Sequence, residues 1–244
     1  MQRYFVNSKE NNIIIINKED SHHIKNVMRM SLYDKVELIY ENTIYIGEII
    51  ELSDNVKCKI IEEKENKEDK TPKVIIAQAL VKEQKMDYIL QKACELGLFE
   101  LIPINTERSV VKLDKKDNKK ITRWCKILKE ASEQSKRVNI PKIDKILDLK
   151  ELKEIKADYK FICSVKENTK TIKSVLSNIN ISDTIIFVIG PEGGLSEKEE
   201  NLLETYGYER VSFGENILRT ETASLFVLSA INYEFLGWYL WMSF

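Results

Sequence analysis

Two glycine-bearing segments near the C-terminal end of the chain have the residue types and spacing needed to hold a ligand. The first, residues 190–195 with the sequence GPEGGL, directly follows the apolar run 184–189. Such a run is typical of a strand buried on both faces. Glycines at the carboxyl end of a strand let the backbone approach a ligand closely, at the edge where open α/β sheets bind ligands. A tight strand-to-helix turn without a ligand is the alternative.

The second segment repeats this layout, since residues 211–213 predict a strand that ends at Gly214. Arg219 then stands just outside a predicted helix, residues 224–235, with Thr220 or Thr222 as its cap; its apolar residues include Leu225, Phe226, Val227, Leu228, Ala230 and Ile231. The helix dipole favours anions at this end, and a guanidinium adds to the attraction. A structural salt bridge is the other interpretation of the arginine. Because of these apolar residues, the helix is expected to be buried almost all round, in the core or against a partner chain.

Neither segment has a phosphate-binding pattern, because Gly-x-Gly-x-x-Gly and Gly-x-x-x-x-Gly-Lys-Ser/Thr are both absent. The sequence therefore gives no indication of the usual dinucleotide or triphosphate sites. Ser196 and Glu199 instead have the spacing of a capping box, which predicts a helix directly after the first segment.

The order of predicted elements indicates an α/β chain in two parts. Before the charged stretch 62–73, short β-branched runs with a hairpin turn at Glu41-Asn42 predict a small antiparallel barrel. One helix interrupts it, capped near Asp20-Ser21, with an apolar side formed by Ile24, Val27 and Met28. After the charged stretch, strands and helices alternate, which favours a mostly parallel sheet covered on both faces.

Composition sets the class of protein. The chain has 244 residues, 43% of them hydrophobic and 32% charged, and a formal net charge of -1. It is expected to be globular and cytoplasmic, because no run approaches the roughly 20 apolar residues of a membrane span. RNA binding would need a local basic face. Four scattered cysteines, expected to be buried thiols, and two adjacent histidines predict neither a disulfide framework nor a metal site.

The motifs resemble a known family. Residues 189–194 (IGPEGG) and 217–223 (ILRTETA), in this order and spacing, are similar to the signature of the RsmE family of SPOUT methyltransferases. The similarity extends over much of the chain, through residues 4–6, 22–29, 85–97, 106–109 and 130–137. It implies an N-terminal PUA-like small β-barrel that binds RNA (residues 1–70) and a C-terminal SPOUT α/β trefoil-knot domain with a mostly parallel sheet (residues 71–244).

The resemblance also implies a reaction, the S-adenosylmethionine-dependent methylation of N3 of a specific uridine in 16S small-subunit ribosomal RNA by a homodimer. A loop after the predicted strand 159–165 is expected to contribute to the cofactor site, and the apolar helix with Trp238, Tyr239 and Trp241 suits a dimer interface. The residues implied to bind the cofactor are Ile189, Gly190, Pro191, Glu192, Gly193, Gly194, Gly214, Ile217, Leu218, Thr220, Thr222 and Ala223.

Methylation at N3 requires that the uracil lose its proton there, so a group must remove that proton or stabilise the resulting anion. We hypothesise that Arg219 stabilises the charge that develops on the uracil carbonyls or grips the adjoining phosphate, with Glu221 or Glu192 as assistants. RNA contacts are expected from Arg3, His22, His23, Arg29, Arg108 and Arg137.

Two other functions are open at this point. The chain could be a non-catalytic RNA-binding ribosome assembly factor with a knot-like domain, but such a protein is free to lose the glycine segments that are intact here. A nucleotide-phosphate enzyme is the third possibility, and the missing phosphate-loop lysine weakens it.

Overall fold

The computed structural model describes residues 1–65, 71–114 and 117–241, with side chains as far as residue 235. The chain divides into two compact units, Met1–Glu68 with Ser132–Ile140, and Asp69–Ala131 with Pro141–Phe244. The sequence did not predict that residues 132–140 belong with the N-terminal part. The boundary between residues 70 and 71 stays a prediction, because residues 66–70 lie outside the described ranges.

The first unit is built on a curled six-stranded sheet with the order β1-β4-β5-β6-β3-β2. The β1–β4 pair is parallel and the other pairs are antiparallel. The bounds are β1 Arg3–Phe5, β2 Lys9–Glu10, β3 Ile13–Ile15, β4 Lys35–Tyr40, β5 Thr43–Glu51 and β6 Lys57–Lys64. The predicted hairpin turn, Glu41-Asn42, joins β4 to β5.

 The φ angles in this turn, 47° at Glu41 and 62° at Asn42, are both positive. A two-residue hairpin turn that matches the twist of its strands requires this.

The helix of the first unit begins earlier than predicted. Helix α1 spans Lys18–His22 and is capped by Asn17, whose side chain accepts from the Asp20 N–H. A π-helical turn, His23–Val27, follows it. Ile24 is fully buried, but Val27 is 60% exposed, so the prediction that Val27 and Met28 share a buried side with Ile24 is wrong. The wider turn rotates these two residues away from the face on which Ile24 lies.

The second unit is built on a six-stranded sheet with the order β12-β10-β11-β7-β8-β9, in which every pair is parallel. This confirms the predicted parallel sheet. Its strands are β7 Lys73–Ala79, β8 Glu100–Asn105, β9 Leu147–Asp148, β10 Tyr159–Cys163, β11 Thr184–Ile189 and β12 Glu209–Val211. The helices are α2 Glu83–Glu95, α3 Asn118–Gln134, α4 Ile172–Leu176, α5 Glu197–Thr205 and α6 Thr220–Trp241, with a 3-10 helix at Leu149–Glu154.

Helix α6 differs from its prediction in two ways. It begins at Thr220, and the Ala223 N–H donates to the Arg219 carbonyl at 2.8 Å, so neither Thr220 nor Thr222 is the residue that precedes its first turn. It is also not buried all round, because Phe226 is 38% and Tyr233 83% exposed. The side chains of Trp238, Tyr239 and Trp241 lie outside the described residues.

Several expectations about composition can be compared with the described ranges. No helix within them is long and apolar enough to cross a membrane. Within the same ranges, no three His, Cys, Asp or Glu side chains are grouped as a metal site would need. Cys58 and Cys94 are buried as expected, but Cys125 is exposed and Cys163 is partly exposed.

Candidate active site

Three neighbouring strands of the second unit end at one edge of the sheet, and the segments that follow them enclose a single cavity of about 300 Å³. The turns at Gly190 and Gly214 therefore meet in space, as the ligand-site interpretation requires. The cavity is lined by Cys163, Ser164, Val165, Ile189, Gly190, Pro191, Glu192, Gly193, Gly194, Phe213, Gly214, Glu215, Asn216, Ile217, Leu218, Thr220 and Ala223.

The tightest position in the cavity wall is Gly190. A Cβ atom there would lie 2.9 Å from the Leu195 nitrogen and 3.1 Å from the Gly194 carbonyl carbon, both backbone atoms that cannot move aside by a rotamer change. Gly194 and Gly214 have φ angles of 67° and 104°, which side chains rarely adopt. The wall is thus built from close-packed backbone, and glycine is required at these positions.

The turn after β11 is braced by the segment that follows β8. Arg108 lies across Gly193 and donates from Nη1 to the carbonyls of Gly193 at 3.0 Å and Leu195 at 3.4 Å. Beside it, Ser196 Oγ donates to a Glu107 carboxylate oxygen at 2.7 Å. Ser196 also forms the predicted capping box with Glu199. Sequence reasoning placed Arg108 on RNA and missed this contact with the cavity wall.

Lys85, on the first turn of α2, connects the two segments of the site. Its Nζ lies 3.0 Å from Glu192 Oε1 and 3.2 Å from Glu221 Oε2. The hydrogen bond to Glu192 raises the pKa of Lys85. Burial tends to raise the pKa of Glu192, but hydrogen bonds from the backbone and from Lys85 outweigh it and lower that pKa. Lys85 and Glu192 are therefore charged near neutral pH, and the lysine holds the turn after β11 beside the start of α6.

Arg219 is exposed, directly before the first turn of α6. Its guanidinium makes no hydrogen bond or ion pair with any residue that the structure describes, whereas Glu221 is held by Lys85. Arg219 does not line the cavity, but its neighbours Leu218 and Thr220 do. A cation without an internal partner thus stands at the rim of the cavity.

The loop after β10 contributes Cys163, Ser164 and Val165 to the wall, where the resemblance led us to expect a third segment. Ser164 Oγ donates to the buried Glu200 carboxylate at 3.0 Å, which fixes this loop to α5. Burial raises the pKa of the Cys163 thiol well above its ordinary value, so the thiol is neutral.

Of the residues implied to bind the cofactor, Thr222 is not part of the wall, because it is exposed on the surface of α6.

Comparison with known proteins decides the family. A model of an RNA methyltransferase domain matches residues 67–232, and one of an RNA methyltransferase PUA domain matches residues 16–67. Ribosomal RNA small subunit methyltransferase E of Bacillus subtilis is 37% identical, over 96% of this chain and 97% of that protein. The enzyme of the same name from Mesomycoplasma hyopneumoniae is 32% identical, over 94% and 98%. The chain belongs to the ribosomal RNA small subunit methyltransferase E family.

Solved structures agree with this assignment to the methyltransferase E family. The family member from Neisseria gonorrhoeae, bound to S-adenosyl methionine, has a TM-score of 0.85 and 26% identity, over 96% of this chain and 98% of that one. A methyltransferase from Legionella pneumophila, in complex with the same cofactor, has a TM-score of 0.87 and 29% identity over the same shares. The fold, with its N-terminal PUA domain and parallel C-terminal sheet, is that of the family.

In this methyltransferase E chain, the residues predicted to contact RNA have different surroundings. Arg3 is only 5% exposed, and its guanidinium contacts Glu37 at 3.1 Å and the carbonyls of Arg137, at 2.9 Å, and Lys136. Its Nε and Nη1 donors are used inside the first unit and its side chain is buried, so we do not retain Arg3 among the proposed RNA contacts. Long-range partners of this kind leave no local signal in the sequence.

The remaining candidates are more accessible. His22 and Arg29 are exposed, while His23 is partly buried with its Nδ1 2.9 Å from the Tyr4 hydroxyl. Arg137 is partly buried, and its Nη2 donates to the Asn139 side-chain oxygen at 2.9 Å. These four residues stay candidates for RNA contact.

Proposed function

We propose that this chain transfers the methyl group of S-adenosylmethionine to N3 of a specific uridine in 16S small-subunit ribosomal RNA. The observation that carries the proposal is the cavity into which the turns at Gly190 and Gly214 both open. The family member from Neisseria gonorrhoeae and the methyltransferase from Legionella pneumophila, which have the same fold, have been solved with this cofactor bound. The non-catalytic alternative is not favoured, because the cavity and its glycine wall are intact.

The cavity fits the cofactor in size and chemistry. Its volume of about 300 Å³ is that of a small-molecule site. The wall combines apolar side chains, such as Ile189 and Leu218, with backbone that approaches closely at Gly190 because a side chain there would clash. We assign the cofactor to the predicted residues that line the wall, and no longer include Thr222. When bound, S-adenosylmethionine supplies a methyl group on a positively charged sulfur.

The chain's own residues must assist the loss of the proton from uracil N3 and stabilise the negative charge that this loss leaves on the uracil. Arg219 is a cation without an internal partner among the described residues, and it stands beside the positive end of the α6 dipole. We assign it to the negative charge that develops on the uracil carbonyls, or to the adjoining phosphate. Glu221 assists, and Lys85 fixes the position of its carboxylate.

RNA binding is assigned to the PUA-like domain, proposed as residues 1–70, with the catalytic domain as residues 71–244. His22, His23, Arg29 and Arg137 are the proposed contacts in the first unit. A single-stranded or bulged segment lets the target base leave its stack and enter the site.

We also propose a homodimer in the cytoplasm. The exposed apolar side chains of Phe226 and Tyr233 on α6 support the dimer.

Arg108→Ala and Arg137→Ala form a matched pair of tests. Arg108 donates to the cavity wall, so its loss is expected to weaken S-adenosylmethionine binding by about threefold to tenfold. Arg108 is exposed and also stays a candidate for RNA contact, so both changes are expected to weaken RNA binding and flatten its salt dependence. Arg137→Ala is expected to leave cofactor affinity intact. Calorimetry with the cofactor and a salt series with an RNA fragment measure these effects. Unchanged cofactor affinity in Arg108→Ala would contradict the bracing role.

The function itself is tested by mass spectrometry of ribosomal RNA from cells with and without the gene. The expected result is the loss of one methyl group from one uridine of 16S RNA, restored by the wild-type gene. Calorimetric titration with S-adenosylmethionine and with ATP separates the alternatives. Binding of neither ligand favours the assembly factor, and binding of ATP alone favours a nucleotide-phosphate enzyme.

A further inference from the structure

Gln78 is a fully buried polar residue directly behind the cavity. It lies on β7, paired with Ile189 of β11, the residue that precedes the turn at Gly190. A buried side-chain amide must have partners for its donors and its acceptor, because an unsatisfied one costs the free energy of desolvation. The sequence alone gave no reason to single out this residue.

The partners of Gln78 fix which way its amide points. Nε2 donates to the Ala79 carbonyl at 3.0 Å and to Thr220 Oγ1 at 2.9 Å. Oε1 accepts from Ser224 Oγ at 2.5 Å. A carbonyl oxygen can only accept, so rotating the amide by half a turn would place two acceptors, the Ala79 carbonyl and Oε1, against each other. One orientation is therefore allowed.

The fixed amide in turn fixes the hydroxyl of Thr220. Since Thr220 Oγ1 accepts from Gln78, its hydrogen is free to be donated to the Gly190 carbonyl, which lies 2.7 Å away. The result is a chain of donors in one direction, from Ser224 through Gln78 and Thr220 to Gly190. Every side chain in it is less than 5% exposed. Such a network specifies one arrangement when each member is satisfied.

We propose that Gln78 is a positioning residue for the cofactor site. Through this chain it holds the Gly190 carbonyl in place and uses up the only hydrogen of the Thr220 hydroxyl. Gly190 and Thr220 both line the cavity. The Thr220 hydroxyl can then only accept from a ligand, so any ligand group that forms a hydrogen bond with it must be the donor. This inference rests on the proposed function, because it describes how the same site selects its cofactor.

Gln78→Met tests the inference, because methionine has a similar length but lacks the amide. We expect the Kd and KM for S-adenosylmethionine to rise about tenfold, with kcat at saturating cofactor within about twofold of wild type. The control is Ile102→Val, a change in the core of the same sheet that lowers stability at a residue packed with Ala77 and Ala79, on the face of β7 opposite Gln78. It is expected to lower the Tm and leave the cofactor Kd unchanged, which separates positioning from a general loss of stability.

A double-mutant cycle with Thr220→Val shows whether the two residues act through one chain. Thr220→Val is expected to weaken cofactor binding about tenfold. The double variant with Gln78→Met is expected to bind the cofactor no less tightly than whichever single variant has the higher Kd. Thr220→Ser keeps the hydroxyl and is expected to lose much less affinity. If Gln78→Met does not fold, Ser224→Ala replaces it, and the removal of the donor to Oε1 is expected to weaken binding about threefold.

Cofactor affinity within twofold of wild type in Gln78→Met, or in Ser224→Ala where that variant is used, would overturn the inference. Full additivity of the Gln78 and Thr220 changes would overturn it as well. A wild-type chain that does not bind S-adenosylmethionine in the same titrations would instead refute the proposed function, so the two failures are distinguishable.

Discussion

Replacing Arg219 by alanine is expected to slow methyl transfer by about 100- to 1,000-fold, the usual effect of removing one group that stabilises an anion in the transition state. The cofactor Kd should change little, because Arg219 lies outside the wall of the cavity. Single-turnover methylation of an RNA fragment with labelled cofactor measures the rate, and calorimetry measures the affinity.

The matched variant Arg219→Lys keeps the charge but loses the planar fork. It is expected to recover part of the rate if charge is what matters, and almost none if a bidentate contact is required. An Arg219→Ala variant with full methyl transfer and unchanged RNA affinity would show that Arg219 has neither of its proposed roles. Weaker RNA binding with an unchanged rate would assign it to the phosphate.

Replacing Gly190 by alanine is expected to have the largest effect on the cofactor. The new Cβ would lie 2.9 Å from the Leu195 nitrogen, so the turn after β11 must move. Its backbone contacts with the ligand are then lost together, and the Kd is expected to rise about 100-fold or more. Calorimetry measures the Kd, and thermal unfolding with and without S-adenosylmethionine shows whether the cofactor still stabilises the chain.

Gly207→Ala is the control for the effect of backbone strain. Gly207 has a φ of 83° in the turn after α5 and does not line the cavity. Alanine there is expected to cost about 1–2 kcal/mol of stability and to leave the cofactor Kd unchanged. If Gly190→Ala bound the cofactor as tightly as Gly207→Ala does, the cavity would not be the cofactor site.

Features set by near neighbours in the sequence could be predicted. Strand β11 has the predicted bounds, Thr184–Ile189, because an apolar run ends there at a glycine. The Ser196–Glu199 capping box and the Glu41-Asn42 hairpin turn also depend only on residues close in the chain. The meeting of the Gly190 and Gly214 turns followed from the rule that parallel strands present their carboxyl ends at one edge.

Features set by distant partners could not be predicted. Arginine is a residue type that often contacts RNA, but Arg3 is buried. Its guanidinium donates instead to Glu37 and to the carbonyls of residues 136 and 137. In the sequence, Gln78 is an ordinary residue of a predicted strand. Its hydrogen-bond partners Thr220 and Ser224 are far away in the chain, so only the structure shows its contacts. The outward turn of Val27 depends on a π-helical turn, for which the apolar pattern gave no signal.

The inclusion of residues 132–140 in the first unit has a consequence for dissecting the protein. A fragment that stops at residue 70 removes both carbonyls that accept from Arg3 and the Glu133 carboxylate that accepts from the Phe5 N–H at 3.3 Å. A fragment cut after residue 70 therefore keeps the ion pair between Arg3 and Glu37 but leaves Arg3 Nη1 without its two carbonyl acceptors. A version of this unit made on its own must therefore retain residues 132–140.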